Sequence, residues 1–271
     1  VLNGRAKLTA HSPAGLADLM QQDRDRTDQW FLDYFDEHFL RIYRALLSAE
    51  DAQEEAAAVI QALGLHADQR LLDVACGWGR HAVPFAAAGL NVTAVDRSEL
   101  LLREAASGGG DVSWVCADVR ELPFRSTFDA AVSLFSSLGY FLDDGEDSRA
   151  LASVHNALRP GGLFLLETMH RDSVVREYAE RDWWEGPDGE VIRVEREFDA
   201  VAGISQERLV WWHPTIGQGE KQHSIRVRSA SEWQSLVRGA GFDCLRWFGS
   251  WDLEPFTHRS ERLILVARCS G

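Results

Sequence analysis

Nowhere in the 271 residues is there an apolar run long enough to span a membrane, which takes about 20 consecutive residues. The first stretch, VLNGRAKLTAHSPAG, lacks the apolar core of a secretory signal, so neither a membrane partner nor export is expected. Cysteine is sparse. Cys76, Cys116, Cys244 and Cys269 stand apart without metal-ligand spacing, which points to a reducing cytoplasm and no metal. Positive charge is also short: 28 Lys and Arg face 42 Asp and Glu, a net charge of -14. A nucleic-acid partner is therefore not expected, because phosphate binding needs a basic surface. What is present is a hydrophobic content of 45%, enough for one large α/β domain or one domain with a sizeable insertion.

The chain is organised around Arg70 to Asp96, RLLDVACGWGRHAVPFAAAGLNVTAVD. Leu71 to Ala75 has the length and composition of a buried strand. Cys76-Gly77-Trp78-Gly79 follows as a tight turn, whose two glycines free the backbone to approach a ligand. A helix is expected from Arg80 to Ala88, then a strand from Asn91 to Val95 ending in Asp96. Strand, glycine turn, helix and strand with a terminal acid form half of a nucleotide-binding sheet. The ligand there sits over the strand ends and the acid bonds ribose hydroxyls. Gly77-x-Gly79-x-x-Ala82 also fits the loose dinucleotide fingerprint. Asp73 argues against that, because a carboxylate four residues before the first glycine repels phosphates and suits a cationic ligand.

With Asp73 in place, the stretch resembles motif I of the class I S-adenosylmethionine (SAM)-dependent methyltransferases, in its D-x-x-C-G-x-G form. Arg159-Pro160-Gly161-Gly162, read as a sharp turn before a strand over Leu163 to Thr168, is a second point of likeness. With FDAAVSLFSSLGYF it is similar to bacterial small-molecule methyltransferases, among them amino-sugar N-methyltransferases. The likeness covers Leu71 to Met169. It implies SAM as cofactor, S-adenosylhomocysteine as product and a small-molecule methyl acceptor. By that resemblance Asp73, Cys76, Gly77, Gly79, Arg80, Asp96 and Arg97 belong to the cofactor site. Asp118 would accept from the adenine amino group, and the amide of Val119 would read a ring nitrogen. The loop opening at Leu134 and Phe135 would offer a carbonyl to the cofactor ammonium, with Tyr140 bordering the acceptor.

Upstream, Asp28 to Leu47 repeats aromatic residues at helical spacing, an amphipathic helix whose aromatic face packs on the sheet. In similar methyltransferases such helices close over the cofactor, which makes Tyr43 a candidate for that contact. Residues 1 to about 22 read as a loosely held arm. Downstream, His170 to Arg228 leaves the βα alternation for three antiparallel strands, Val191–Phe198, Gln206–His213 and Gln222–Val227. Trp183, Trp184, Trp211 and Trp212 crowd this region, either packing it onto the domain or forming an aromatic wall for a substrate. A capping box at Ser229, a helix and strands over Phe242–Phe248 and Leu263–Ala267 close the chain.

The fold expected is α/β: a Rossmann-like seven-stranded sheet with an antiparallel last strand, plus an antiparallel β insertion after strand five. Residues 1–271 form one domain, with a helical cap over 23–66 and a β-rich insertion or lid over 170–228 that shields the site or forms a homodimer contact. Methyl transfer is an in-line displacement, so positioning dominates. A hydroxyl or ammonium acceptor is helped by a base, for which His170 leads and Glu167 follows. The competing reading of His170 is a solvated loop residue beside Arg171 and Asp172, and His81 reads as a helix-face residue. Two other functions stay open: an NAD-dependent oxidoreductase, and a silent SAM-binding or scaffolding protein.

Overall fold

In a computed structural model, residues 30–186 and 189–270 are described; the expected N-terminal arm lies outside them. The aromatic helix is two helices, α1 (Phe31–Tyr34) and α2 (Glu37–Leu46). The break has a local cause. The Asp36 carboxylate accepts from the Phe39 amide at 2.9 Å, capping a fresh N-terminus where the periodicity alone reads straight through. α3 (Ala49–Leu63) is capped by Ser48 and stopped by Gly64 in the left-handed region.

The α/β alternation follows: β1 (Arg70–Val74), α4 (Ala82–Ala87), β2 (Asn91–Asp96), α5 (Glu99–Ser107), β3 (Val112–Cys116), β4 (Phe128–Ser133), α6 (Asp144–Ala157) and β5 (Leu158–Met169). Arg159-Pro160-Gly161-Gly162 is not a turn before the strand. It is a bulge inside β5, where the pairing register jumps from Phe128↔Leu158 to Ala130↔Leu163. A short α7 (Arg171–Arg176) leads into a separate antiparallel sheet, β6 (Arg181–Glu185), β7 (Val191–Asp199), β8 (Ile204–His213) and β9 (Gly217–Arg226). Sequence reading missed β6, because RDWWE lacks the alternation of a half-buried strand. α8 (Ala230–Gly239) carries the capping box at Ser229, and β10 (Phe242–Phe248) and β11 (Arg262–Cys269) finish the chain.

The main sheet has the order β10-β11-β5-β4-β1-β2-β3. β1 to β5 are parallel, and β11 lies between β5 and β10, antiparallel to both. Each face buries its own core. Leu72 and Val74 point into the layer with α6 and α8, around Leu151, Phe164 and Trp233. Leu71 points the other way, with Val59 of α3 and Phe85 of α4. This is the period-two alternation of a strand covered on both faces. Each large side chain so buried contributes about 1.5–3 kcal/mol.

α2 is a wedge between the two sheets. Tyr34, Phe39 and Leu40 pack on Leu101 of α5 and on Trp78. Ile42 enters a second cluster with Ile192, Val194, Leu209 and Trp211 of the four-stranded sheet. Arg41 pairs with the buried Glu190, and the Lys221 ammonium bonds Asp36 at 2.7 Å and the Tyr34 carbonyl at 2.8 Å. No helix among the described residues is long and apolar enough to cross a membrane.

Candidate functional site

The reversal of strand order at β1 opens a crevice at the carboxyl ends of β1 to β4, where open α/β sheets place ligands. The cavity there is lined by the turn after β1 (Ala75 to Trp78, then Arg80 and His81) and by Asp96 to Ser98 after β2. Ala117 to Val119 after β3, and Leu134, Phe135 and Ser137 after β4, complete that side.

Asp73 projects from β1 toward the α3/α4 layer, where its neighbour in pattern, Leu71, is apolar. It is 2% exposed, and its Oδ2 has no hydrogen-bond partner. Burial, with the Asp96 charge nearby, pushes its carboxyl up to about 7, while Arg80 works the other way. A buried carboxylate oxygen without a partner costs free energy until a donor arrives. Asp96 is differently equipped. Its Oδ2 accepts from the Gly77 amide at 2.8 Å and its Oδ1 from the Ser98 amide at 2.8 Å, so the carboxylate ties the two loops together. Burial holds its carboxyl above the usual range, with those amides opposing. Asp118 is held below its usual range, chiefly by hydrogen bonds from Arg120. Arg97 reaches Asp118 at 3.4 Å and covers the Phe31 ring. Burial between Asp73 and Asp96 keeps the Cys76 thiol protonated.

Two lining residues that are not glycine are left-handed, Ala75 (φ 57°) and Phe135 (φ 59°), as is Ser136 (φ 57°) beside them. Such conformations cost of order 1–3 kcal/mol each and persist where surroundings over-determine them. Here the Phe135 amide donates to Glu167 Oε2 at 2.6 Å, the Ser136 amide to the Glu167 carbonyl at 3.3 Å, and Ser136 Oγ accepts from the Met169 amide at 2.9 Å.

The opposite wall is aromatic. Phe31, Leu32, Phe35 and Phe39 come down from α1 and α2 and their junction, and Tyr140 and Phe141 rise from the loop after β4. Tyr140 stacks on Phe35 at 5.9 Å and meets Trp30 edge-on at 4.9 Å; Phe31 meets Phe141 at 5.6 Å. Burial raises the Tyr140 phenol well above its ordinary value, so it stays a neutral hydroxyl.

Of the residues singled out in the sequence, Asp73, Cys76, Gly77, Arg80, Asp96, Arg97, Asp118, Val119, Leu134, Phe135 and Tyr140 line this one cavity. Gly79, Tyr43 and His170 are not among its lining residues. Gly79 (φ 76°) is a packing glycine: a Cβ there would lie 2.5 Å from the Trp114 ring. Tyr43 turns away toward Tyr34, the two hydroxyls 3.3 Å apart, and Phe39 takes the place expected of it. His170 is fully buried rather than a solvated loop residue. Its Nε2 is engaged with the Ser260 carbonyl and its ring rests on Phe256. Glu167, the second candidate base, is occupied by the Phe135 amide and by Arg262 at 2.9 Å. His81 is not a helix-face residue; it sits in the cavity wall against Glu55 at 2.7 Å. The four tryptophans line no part of the cavity: Trp211 packs on α2, while Trp183 (63% exposed) and Trp212 (51%) face outward. The contributions of α1 and α2 were missed as such, since one helical stripe does not show which of its rings meets a loop a hundred residues on.

Residues 71–162 match the family described as "Methyltransferase domain". A putative methyltransferase, YqeM, of Bacillus subtilis is 26% identical across 74% of this chain and 84% of its own length. A dTDP-3-amino-3,4,6-trideoxy-alpha-D-glucopyranose N,N-dimethyltransferase of Streptomyces venezuelae is 36% identical over 36% of this chain, a stretch that spans only 41% of that relative. Among solved structures, a SAM-dependent methyltransferase from Clostridium acetobutylicum superposes with a TM-score of 0.74 at 17% identity, covering 86% of this chain and 96% of that one. An amino pentose methyltransferase of calicheamicin biosynthesis from Micromonospora echinaspora, solved with SAM bound, gives 0.64 at 18% identity over 98% and 100%. At these identities the superpositions speak for the fold alone. Residues 71–162 are thus similar to a methyltransferase domain, and the strand order with its inserted antiparallel strand and the superpositions give the chain a fold consistent with a class I SAM-dependent methyltransferase.

Proposed function

We propose that the chain moves the methyl group of SAM onto a nitrogen or oxygen of a small metabolite, with nitrogen favoured. The observation that carries this reading is Asp73: a buried carboxylate whose free oxygen opens beside the glycine turn, where a cationic ligand satisfies it and a dinucleotide phosphate is repelled. The residues fit the cofactor piece by piece. Asp96 lines the cavity with one backbone bond on each oxygen, which leaves each a lone pair for a ribose hydroxyl, and Asp118 and Val119 line it where an adenine would be read. Arg80 has a buried Nη1 without a partner for a carboxylate. Bound SAM supplies a methyl already activated by its sulfonium. The chain's part is to hold donor and acceptor in line and to exclude water.

The acceptor's place is the aromatic wall of Phe31, Phe35, Tyr140 and Phe141. Ring faces favour a nitrogen that carries positive charge as the methyl arrives, and the Tyr140 hydroxyl can orient it. The amino-sugar activity of the Streptomyces venezuelae relative agrees with a nitrogen acceptor. The oxidoreductase reading is opposed by Asp73 and by the antiparallel β11 within the sheet.

Calorimetric titration with SAM, S-adenosylhomocysteine and NADH tests the reading. Heat from the two adenosyl ligands and none from NADH is expected, and the reverse pattern would sink it. A mass-spectrometric screen of amines and alcohols with SAM then identifies the acceptor by a gain of one methyl.

A further inference from the structure

Behind the end of the cavity that holds Asp73 lies a chain of ion pairs of which the proposed chemistry uses only Arg80 directly. Glu55 of α3 is 6% exposed, and its Oε2 takes both the Arg80 guanidinium at 2.8 Å and His81 Nε2 at 2.7 Å. Its other oxygen faces Arg262 of β11 at 3.9 Å. Arg262 in turn bonds Glu167 of β5 at 2.9 Å, and Glu167, 3% exposed, spends its second oxygen on the Phe135 amide at 2.6 Å. Arg80 closes the circuit, its guanidinium lying 5.0 Å over the Phe135 ring. Two acids, two arginines and a histidine from four elements thus converge on one turn, Leu134 to Ser137.

That turn needs holding, because Phe135 and Ser136 are both left-handed without being glycine. Its strain sets where the Leu134 carbonyl and the Phe135 amide point. Ion pairs on carboxylates as buried as Glu55 and Glu167 are poor sources of net stability, so their concentration behind one strained turn calls for another role. We propose that the chain Glu55–Arg80 and Arg262–Glu167 is a positioning device for the amino-acid tail of the cofactor. It holds the Leu134 turn on one side of the tail and presents the unpartnered Arg80 Nη1 on the other. Glu167 and Arg262 are thus positioning residues that act through the turn. The inference rests on the SAM reading above and deepens it: the adenosine end is held by Asp96 and Asp118 independently of this device.

The test compares S-adenosylhomocysteine, which has the tail, with 5′-methylthioadenosine, which lacks it, by calorimetry on the full chain. The wild-type protein is expected to bind both, the tailed ligand more tightly. Glu167→Ala is expected to weaken S-adenosylhomocysteine about tenfold or more, the scale of a lost hydrogen bond to a charged group, and to leave 5′-methylthioadenosine within about twofold. Arg262→Ala, at a partly exposed position, is expected to repeat this selective loss in a protein that still folds, and Arg262→Lys to restore it. If Glu167→Ala fails to fold, the two Arg262 variants decide alone. Equal loss for both ligands, or no loss for either in natively folded variants, overturns the positioning role. A wild-type protein that binds neither ligand overturns the SAM reading instead, and this one with it.

Discussion

The acidic half of the cavity, Asp73, Asp96 and Asp118, stands on the ends of three neighbouring strands, whereas the aromatic half, Phe31, Phe35, Tyr140 and Phe141, joins the first described helix to a loop far along the chain. The first is positioned by backbone. Each acid is set by the strand before it, and Asp96 and Asp118 are locked by amides of the residues that follow. The second is positioned by contacts between distant segments: α1 and α2 pack on both sheets and are clamped to the four-stranded one by Arg41–Glu190 and Lys221–Asp36. On the proposed reading this is a division of labour: the strand ends meet the cofactor, and the attached helices and loop meet the acceptor.

Mutation can break that comparison. The largest effect is expected from Asp96→Ala, which removes the ribose bonds and the tie between Gly77 and Ser98; S-adenosylhomocysteine affinity should fall by about 2–4 kcal/mol in a titration. Unchanged affinity would mean that the acidic half is not the cofactor's half.

Next comes pH. Asp73 titrates in the folded, ligand-free chain at about 7, against 3.8 for an unperturbed carboxyl. The folded state therefore holds the extra proton between those values, and its stability without ligand declines as pH rises through the window. A ligand that brings an ammonium to Asp73, as the amino-acid tail of S-adenosylhomocysteine does on the proposed reading, needs the ionised form, so its affinity moves the opposite way. S-adenosylhomocysteine binding should strengthen between pH 5.5 and 7.5 by about tenfold per unit at the acid end and then level off. Asp96, also raised by burial, moves with it. Asp73→Asn should flatten the profile; a wild-type profile that is already flat would remove Asp73 from the site.

The smallest effect sharpens the contrast. Phe35→Ala should leave S-adenosylhomocysteine affinity within about 0.5 kcal/mol, while KM for the acceptor, once the screen supplies it, rises. A loss of cofactor affinity equal to that in Asp96→Ala would show the two halves to be one.

Legibility in the sequence follows the same line. The β1 turn, Asp96, Asp118 and the Leu134 loop were readable because each is a local pattern: an apolar strand followed by the residue that its end presents. The failing βα rhythm after His170 made the β insertion legible, while the antiparallel last strand was legible only as what the resemblance implies. His170 was misplaced since its position after β5 looks right by count, yet its ring turns inward to Ser260. Phe39 lines the cavity where Tyr43 is expected, since helical periodicity identifies an apolar face but not which neighbour will cover which part of it.

By itself, then, the sequence determined the strand ends and the acids they present, because in a strand one residue's position dictates the next one's face. Only the tertiary structure decided that α2 would be wedged between two sheets. It also decided that Glu55, Arg80, Arg262 and Glu167 would meet behind Phe135. Those are contacts between segments far apart in the chain, and they exist only once the faces that carry them have been buried together.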